Sequence, residues 1–288
     1  MLENLSPAIA LSCKKILKTC LLFTLPLLFI FKTAQAQNNN QTVYVGVNYI
    51  KVTPGKGSVY NDLLRTYSRK INEDYFKAGK ILGWYVNYVL MPTGSSAEYD
   101  MTIVTVTTDM SLLVDDTTSI RERFKKVLPG ASDATIEMIF DAYAGSRTLV
   151  KKEIYSFVDG VNLSSNPSKY TKVDFMKATP GKESDYVKLE KEIFKPLHTE
   201  MVKKGSMDDW GFYALEMPNS SAGAYDYLTA NFFTSLNQSN GVNYNEIFKK
   251  VFPKMDMTAV WTQTNNARKM IRSEIWKLGV YVDGTNTK

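Results

Sequence analysis

The side chains able to do chemistry in this sequence are few, and most of them come in pairs. Trp84 and Trp210, Tyr99 and Tyr225, Lys51 and Lys177, and Arg147 and Arg268 recur in like surroundings, whereas His198 stands alone. The two indoles would stack on an apolar ligand, although large aromatics on a sheet ordinarily belong to the core. Each tyrosine precedes an aspartate, so its hydroxyl would either exchange a proton in a cavity or simply pack across strands. Lys51 and Lys177 would meet an anionic ligand, or snorkel to solvent at a strand end. Arg147 and Arg268 would clamp a carboxylate through their planar donor fork, or lie on a solvated helix face. His198 would titrate near neutral pH as a base or a single ligand, but a lone histidine is more often surface or satisfied core. These nine residues form the candidate ligand-binding set, and none of them is assigned a catalytic role.

Much is excluded. The chain of 288 residues has one His and two Cys, Cys13 and Cys20, both near the start. Beyond them no disulfide, thiolate nucleophile or Cys-ligated metal site can form, and multi-histidine sites are ruled out, so no metal and no cofactor is expected. The first 36 residues hold four of the 35 bases and one of the 29 acids, leaving 31 bases against 28 acids, a net charge of +3. That is too weak for nucleic acid, which demands a dense phosphate-neutralising patch. The Thr-Pro-Gly-Lys turns, with a single glycine each, read as strand-to-helix turns rather than phosphate cradles. Lys-Lys pairs at 125, 151, 203 and 249 lie near Glu122, Glu153, Glu200 and Glu246 and read as solvated faces.

The elements that must position these residues begin with a leader. Lys14, Lys15 and Lys18 precede the apolar run Leu21 to Phe31, and Ala34-Gln35-Ala36 follows, the order of an export signal cleaved after Ala36. The apolar run is too short to span a bilayer, and Cys20 precedes it, so neither a transmembrane nor a lipid anchor is expected. Residues 37–42 read as a disordered start, and the mature chain as periplasmic or secreted in a bacterium.

The mature chain repeats itself. A shift of 126 superimposes Thr53-Pro54-Gly55-Lys56 on Thr179-Pro180-Gly181-Lys182, Trp84 on Trp210, Met91-Pro92 on Met217-Pro218, and Tyr99-Asp100 on Tyr225-Asp226. Later landmarks hold at shifts of 121 and 124: Arg147, Glu153 and Tyr155 fall on Arg268, Glu274 and Trp276, and Val158-Asp159-Gly160 on Val282-Asp283-Gly284. Two modules, 43–160 and 170–284, are therefore joined by a Ser/Asn/Pro linker, 161–169. In each, strict alternation predicts a first strand buried on two faces, and spacings of three and four predict a long helix. Tyr60, Leu63, Tyr67, Ile71 and Tyr75 mark that helix in the first module; Tyr186, Leu189, Ile193, Leu197 and Met201 mark it in the second. Pro196, whose counterpart is Lys70, predicts a kink in the second helix only. A strand hairpin, two further helices (the second over 134–149 and 257–272) and a last strand ending in Val-Asp-Gly complete the order β-α-β-β-α-β. The fold class is α+β: two tandem ferredoxin-like repeats packed sheet to sheet, each covering the other's bare face.

The string Tyr-x-Lys, Thr-Pro-Gly-Lys-x-Ser-x-Tyr-x-x-Leu, Trp, Met-Pro and Tyr-Asp resembles secreted bacterial members of the dimeric α/β-barrel superfamily. That group includes antibiotic-biosynthesis-type monooxygenases, haem-degrading monooxygenases and NIPSNAP-like proteins. The resemblance implies a pocket between sheet and helices lined by Trp, Asn, His or Arg, but no Asn-Trp-His set recurs here, and His198 pairs with Asn72. The function expected is an envelope protein holding a small apolar or aromatic ligand in a barrel pocket, with a cofactor-independent monooxygenase as the alternative.

Overall fold

The computed structural model describes residues 41–94, 97–115, 119–161, 166–220 and 223–286. The export-type leader, most of the polar start and the middle of the linker lie outside the described residues.

Eight antiparallel strands form one closed barrel. They are β1 (Tyr44–Val52), β2 (Gly83–Met91), β3 (Met101–Thr107), β4 (Arg147–Gly160), β5 (Tyr170–Ala178), β6 (Asp209–Met217), β7 (Tyr227–Phe233) and β8 (Arg268–Val282), in the barrel order β1-β3-β2-β8-β5-β7-β6-β4. The first half contributes β4-β1-β3-β2 and the second β8-β5-β7-β6, so corresponding strands occupy corresponding places. The eight strands close around a shared interior, and the strands of the two halves are hydrogen-bonded edge to edge. That closure depends on two long strands. β4 pairs with β1 through Arg147 to Ser156 and with β6 through Ile154 to Gly160; β8 pairs with β5 through Arg268 to Lys277 and with β2 through Ile275 to Val282. Each long strand thus belongs to both halves, and among the described residues no edge of these eight strands is left unpaired.

Alternation along the strands separates an inner core from two outer ones. Val47, Tyr49, Tyr155, Val173, Phe175, Tyr225 and Trp276 meet inside the barrel. Ile50, Trp84 and Val86 face outward in the first half, as Met176, Trp210 and Phe212 do in the second, where helices cover them. Burying a side chain the size of Phe175 or Phe212 stabilises the fold by about 1.5–3 kcal/mol. The covering helices are α1 (Gly57–Leu63) and α2 (Arg69–Lys77), then α3 (Met110–Val114), α4 (Ile120–Val127) and α5 (Asp133–Gly145). In the second half they are α6 (Glu183–Leu189), α7 (Lys195–Lys203), α8 (Tyr244–Val251) and α9 (Met257–Ala267).

Two expectations are corrected. The helices predicted to reach Leu149 and Arg272 stop at Gly145 and Ala267, so Arg147 and Arg268 head strands. The apolar spacing runs on past these points, but pairing with β1 and β5 takes over, and the Thr53 and Thr179 amides donate to Ser146 O at 3.0 Å and Ala267 O at 2.9 Å. The long helices also share an irregularity that Pro196 does not explain. Both contain a π-turn at the same place, Leu64–Ser68 and Glu190–Phe194, and Pro196 lies just beyond the second, near the start of α7. The π-turn already interrupts the i→i−4 ladder, so a missing amide donor there removes little.

The repeated Tyr-Asp pair has a clear structural role. Asp100 accepts from Lys51 Nζ and the Val52 amide, both at 3.0 Å; Asp226 accepts from Lys177 Nζ at 2.7 Å and the Ala178 amide at 3.0 Å. Each aspartate pins its hairpin, just before β3 or β7, to the end of the first strand of its half. Because these ion pairs are about one-third exposed, most of their worth lies in the amide bond. Asp100→Ala and Asp226→Ala are each expected to cost about 1–2 kcal/mol in urea unfolding, and a loss near zero would contradict this role.

Candidate functional site

A cavity of about 480 Å³ opens into the barrel interior where β1 and β5 begin. Both halves line it at equivalent positions: Val45 and Val47 face Thr171 and Val173, and Val104 and Val106 face Ala230 and Phe232. Tyr155 and its counterpart Trp276 also line it. The walls are mostly apolar because inward-facing positions of these strands carry Val, Leu, Ala and aromatics. Tyr85 and Tyr213 lie over glycines two residues earlier: a Cβ on Gly83 or Gly211 would fall 2.6 Å from the tyrosine side chain. These glycines leave the room in which the two rings lie along the wall.

Tyr155 and Trp276 are fixed by buried carboxylates. Trp276 Nε1 donates to Glu274 Oε2 at 2.8 Å, and Tyr155 Oη donates to Glu153 Oε2 at 2.6 Å. The other oxygen of each glutamate accepts from a tyrosine of the opposite half, Tyr99 on Glu274 and Tyr225 on Glu153, both at 2.5 Å. A cation completes each unit. Arg272 Nη2 donates to Tyr99 Oη at 2.9 Å and Lys151 Nζ to Tyr225 Oη at 2.9 Å. Arg272 and Lys151 pair with Glu274 and Glu153 at 2.9 and 3.3 Å. Lys151 lies 5.7 Å from the Tyr99 ring and Arg272 lies 5.4 Å from the Tyr225 ring, so the two units form one cluster.

Electrostatics fix the two tyrosines of this cluster as donors and Glu153 as an acceptor. Burial, and then the neighbouring glutamate, push the Tyr99 and Tyr225 hydroxyls up, so both remain donors. Burial would raise Glu153, but bonds from Tyr155 and Tyr225 and the Lys151 charge outweigh it and hold its carboxyl below the usual range. Two acids and two bases balance inside a low-dielectric space, which is the condition for tolerating buried charge. The cluster therefore acts as a rigid support that orients Tyr155 and Trp276 at the cavity.

No protein-family model and no curated protein sequence matches the chain. Solved structures do. A Fusobacterium nucleatum protein provisionally described as a monooxygenase aligns over 85% of this chain and 96% of its own, at 10% identity and a TM-score of 0.54. A similarly described Lactobacillus acidophilus protein covers 84% and 96% at 7% identity, with a TM-score of 0.48. The eight-stranded α/β-barrel fold is shared with the first of these. Identities this low speak for the fold alone.

Within this α/β barrel, none of the nine candidates lines the cavity. Trp84 and Trp210 are buried between sheet and helices, and His198 stacks on Trp210 at 5.0 Å between ring centroids. Lys51 and Lys177 serve the hairpin staples, Arg147 lies 4.8 Å from the Tyr143 ring, and Arg268 sits beside Tyr186 and Glu190. Only Tyr99 and Tyr225 come together, in the cluster behind the cavity. The residues that matter there were missed because Lys151 and Glu153 read as a solvated face; Glu153 is 5% exposed. The available signal was that Lys151, Glu153 and Tyr155, like Arg272, Glu274 and Trp276, share one strand phase in both repeats.

A second polar group lies in the second half between sheet and helices. Asp174 accepts from Ser273 Oγ, from Asn231 Nδ2 at 3.3 Å and from Lys172 Nζ at 3.1 Å. Burial pushes the nearby Glu190 up to about 7, against the pull of Tyr186 and Arg268. Burial, helped by the Lys172 charge, pushes His198 down to about 3. Among the described residues no group of acids, His and Cys is placed to hold a metal ion.

Two predictions follow from these buried groups. Glu274→Gln leaves the Arg272 charge without its partner and is expected to cost about 3 kcal/mol in urea unfolding, as breaking buried pairs does; a cost below 1 kcal/mol would contradict the support role. The second concerns pH. His198 is held neutral in the fold while the unfolded chain takes up protons below about 6.5, so it removes stability as pH falls from there toward 3. Glu190 keeps its proton in the fold up to about 7, so it removes stability as pH rises from the unfolded value near 4.3 through 7. His198→Asn is expected to flatten the acidic limb of a stability–pH profile and Glu190→Leu the neutral limb; unchanged limbs would contradict the assignment.

Proposed function

We propose that this is an exported envelope protein that binds one small apolar or aromatic molecule in the barrel cavity. The observation that carries the reading is the cavity itself: about 480 Å³, lined by equivalent apolar positions of both halves. That volume is within the range of small-molecule sites, and a few polar groups among apolar walls is their usual chemistry. The Tyr155 and Trp276 rings, held by the buried cluster, would give an aromatic ligand a pre-positioned surface. The same reading takes the halves as tandem ferredoxin-like repeats, 43–160 and 170–284, supported by their strand orders β4-β1-β3-β2 and β8-β5-β7-β6. Export is supported by the basic, apolar and small-residue order of residues 14–36. Among the described residues no helix is long and apolar enough to cross a membrane.

Binding is tested by titrating wild type and Ala230→Trp with N-phenyl-1-naphthylamine, a neutral aromatic probe. The wild type is expected to bind it saturably with one site, and the filled variant at least tenfold more weakly at unchanged far-UV circular dichroism. Equal binding by both would place the probe elsewhere and contradict the reading, while oxygen consumption on adding a ligand would mark the oxygenase alternative. Export is tested by mass spectrometry of the mature protein, expected to begin at Gln37; a chain retaining residues 1–36 would refute it.

A further inference from the structure

One polar side chain lines the cavity from inside the barrel with bonding capacity to spare. Asn87 is 7% exposed and forms part of the cavity wall. On β2 it stands between Tyr85, nearer the start of the strand, and Val89, which belongs to the inner core. It is therefore the innermost residue of β2 that lines the cavity. Its Nδ2 lies 3.4 Å from Thr102 Oγ1, a long contact, and among the described residues no donor reaches its Oδ1. A buried amide ordinarily fills more of its two-donor, two-acceptor capacity than this.

The polar atoms of the aromatic side chains around the cavity are committed elsewhere. Tyr155 Oη donates to Glu153, Trp276 Nε1 to Glu274, and Tyr85 Oη to Asp283 at 3.3 Å. Those three rings offer a ligand their carbon faces. Tyr213, the residue corresponding to Asn87 at the shift of 126, turns its hydroxyl back over Gly211. The amide is thus supplied by one half only. A purely apolar ligand would displace water from Asn87 and leave it unpaired, whereas a charged group would lose far more hydration than one amide returns. A neutral hydroxyl suits either orientation of the amide, because it donates to Oδ1 or accepts from Nδ2.

From these observations we infer that Asn87 is a specificity-determining residue, and that the cavity selects an apolar or aromatic ligand whose buried part carries a neutral hydroxyl bonded to this amide. This inference rests on the cavity being a ligand site. The apolar walls hold the body of the ligand, and Asn87 discriminates between bodies of one shape by the group they turn towards it.

The test is a calorimetric titration of the purified protein with 2-naphthol and 2-methylnaphthalene, two neutral probes of matched shape that differ in the hydroxyl. The wild type is expected to bind the naphthol about tenfold more tightly than the methyl compound. Asn87→Leu, which keeps the size of the side chain and removes its polar atoms, should erase that preference while binding 2-methylnaphthalene at least as well as the wild type does. If Asn87→Leu fails to fold, Asn87→Ala should show the same loss of preference. Equal or tighter binding of 2-methylnaphthalene by the wild type overturns the inference and leaves the ligand-site reading standing. A hydroxyl preference that survives the loss of the amide places the hydroxyl elsewhere and overturns the role of Asn87. Binding of neither probe overturns both the inference and the ligand-site reading.

Discussion

Two antiparallel seams, β2 against β8 and β4 against β6, hold the rest of this molecule in place. Without them each half would expose an apolar sheet face and two strand edges. With them, every strand has two neighbours and the inner faces close around a shared interior. The interior positions Glu153 against Tyr225 and Glu274 against Tyr99, each bond joining one half to the other. Backbone pairing at the seams and charge pairing inside therefore depend on the same registration of the halves. A shift by one residue along β4 or β8 would turn Lys151, Glu153 and Tyr155, or their counterparts, out of the barrel.

The halves share a frame but have diverged in what fills it. In the first, Leu113 of α3 packs over Gly46, where a Cβ would come within 2.9 Å of it, and Leu64 lies in the outer core. In the second, Lys172 stands where Gly46 does and reaches Asp174, and Glu190 replaces Leu64. One outer layer is largely apolar and the other holds buried titratable groups, including a histidine where the first half has Asn72. The cavity diverges too, since Asp209 has no acidic counterpart. The result is an asymmetric cavity on a nearly symmetric scaffold.

Much of the fold was legible because its signals are local. The alternation Val47, Tyr49, Lys51 and the Thr-Pro-Gly-Lys turn mark strand, turn and helix within a dozen residues, and the repetition fixes their order twice. The helix-to-strand junctions were not legible: residues 134–149 keep helical apolar spacing, while the pairing that ends the helix is made with a strand nearly a hundred residues away. The site was misread for a related reason. Tryptophan, histidine and lysine draw attention as reactive types, yet Trp84 and Trp210 face the helices, His198 packs from its helix onto Trp210, and Lys51 and Lys177 tie hairpins. Glu153 reads as a solvent-facing acid because charged residues inside a barrel invert the usual pattern, and only closure reveals its partners and those of Glu274.

Native-state hydrogen exchange of the protein measures this closure most directly. Amides on the seam portions of the long strands, Phe157 to Gly160 and Leu278 to Val282, should exchange as slowly as those of the ladders within each half, such as Val47 to Ile50 on β1, because all open in one global unfolding event. Seam amides that exchange rapidly while the ladders within each half stay protected would contradict the account.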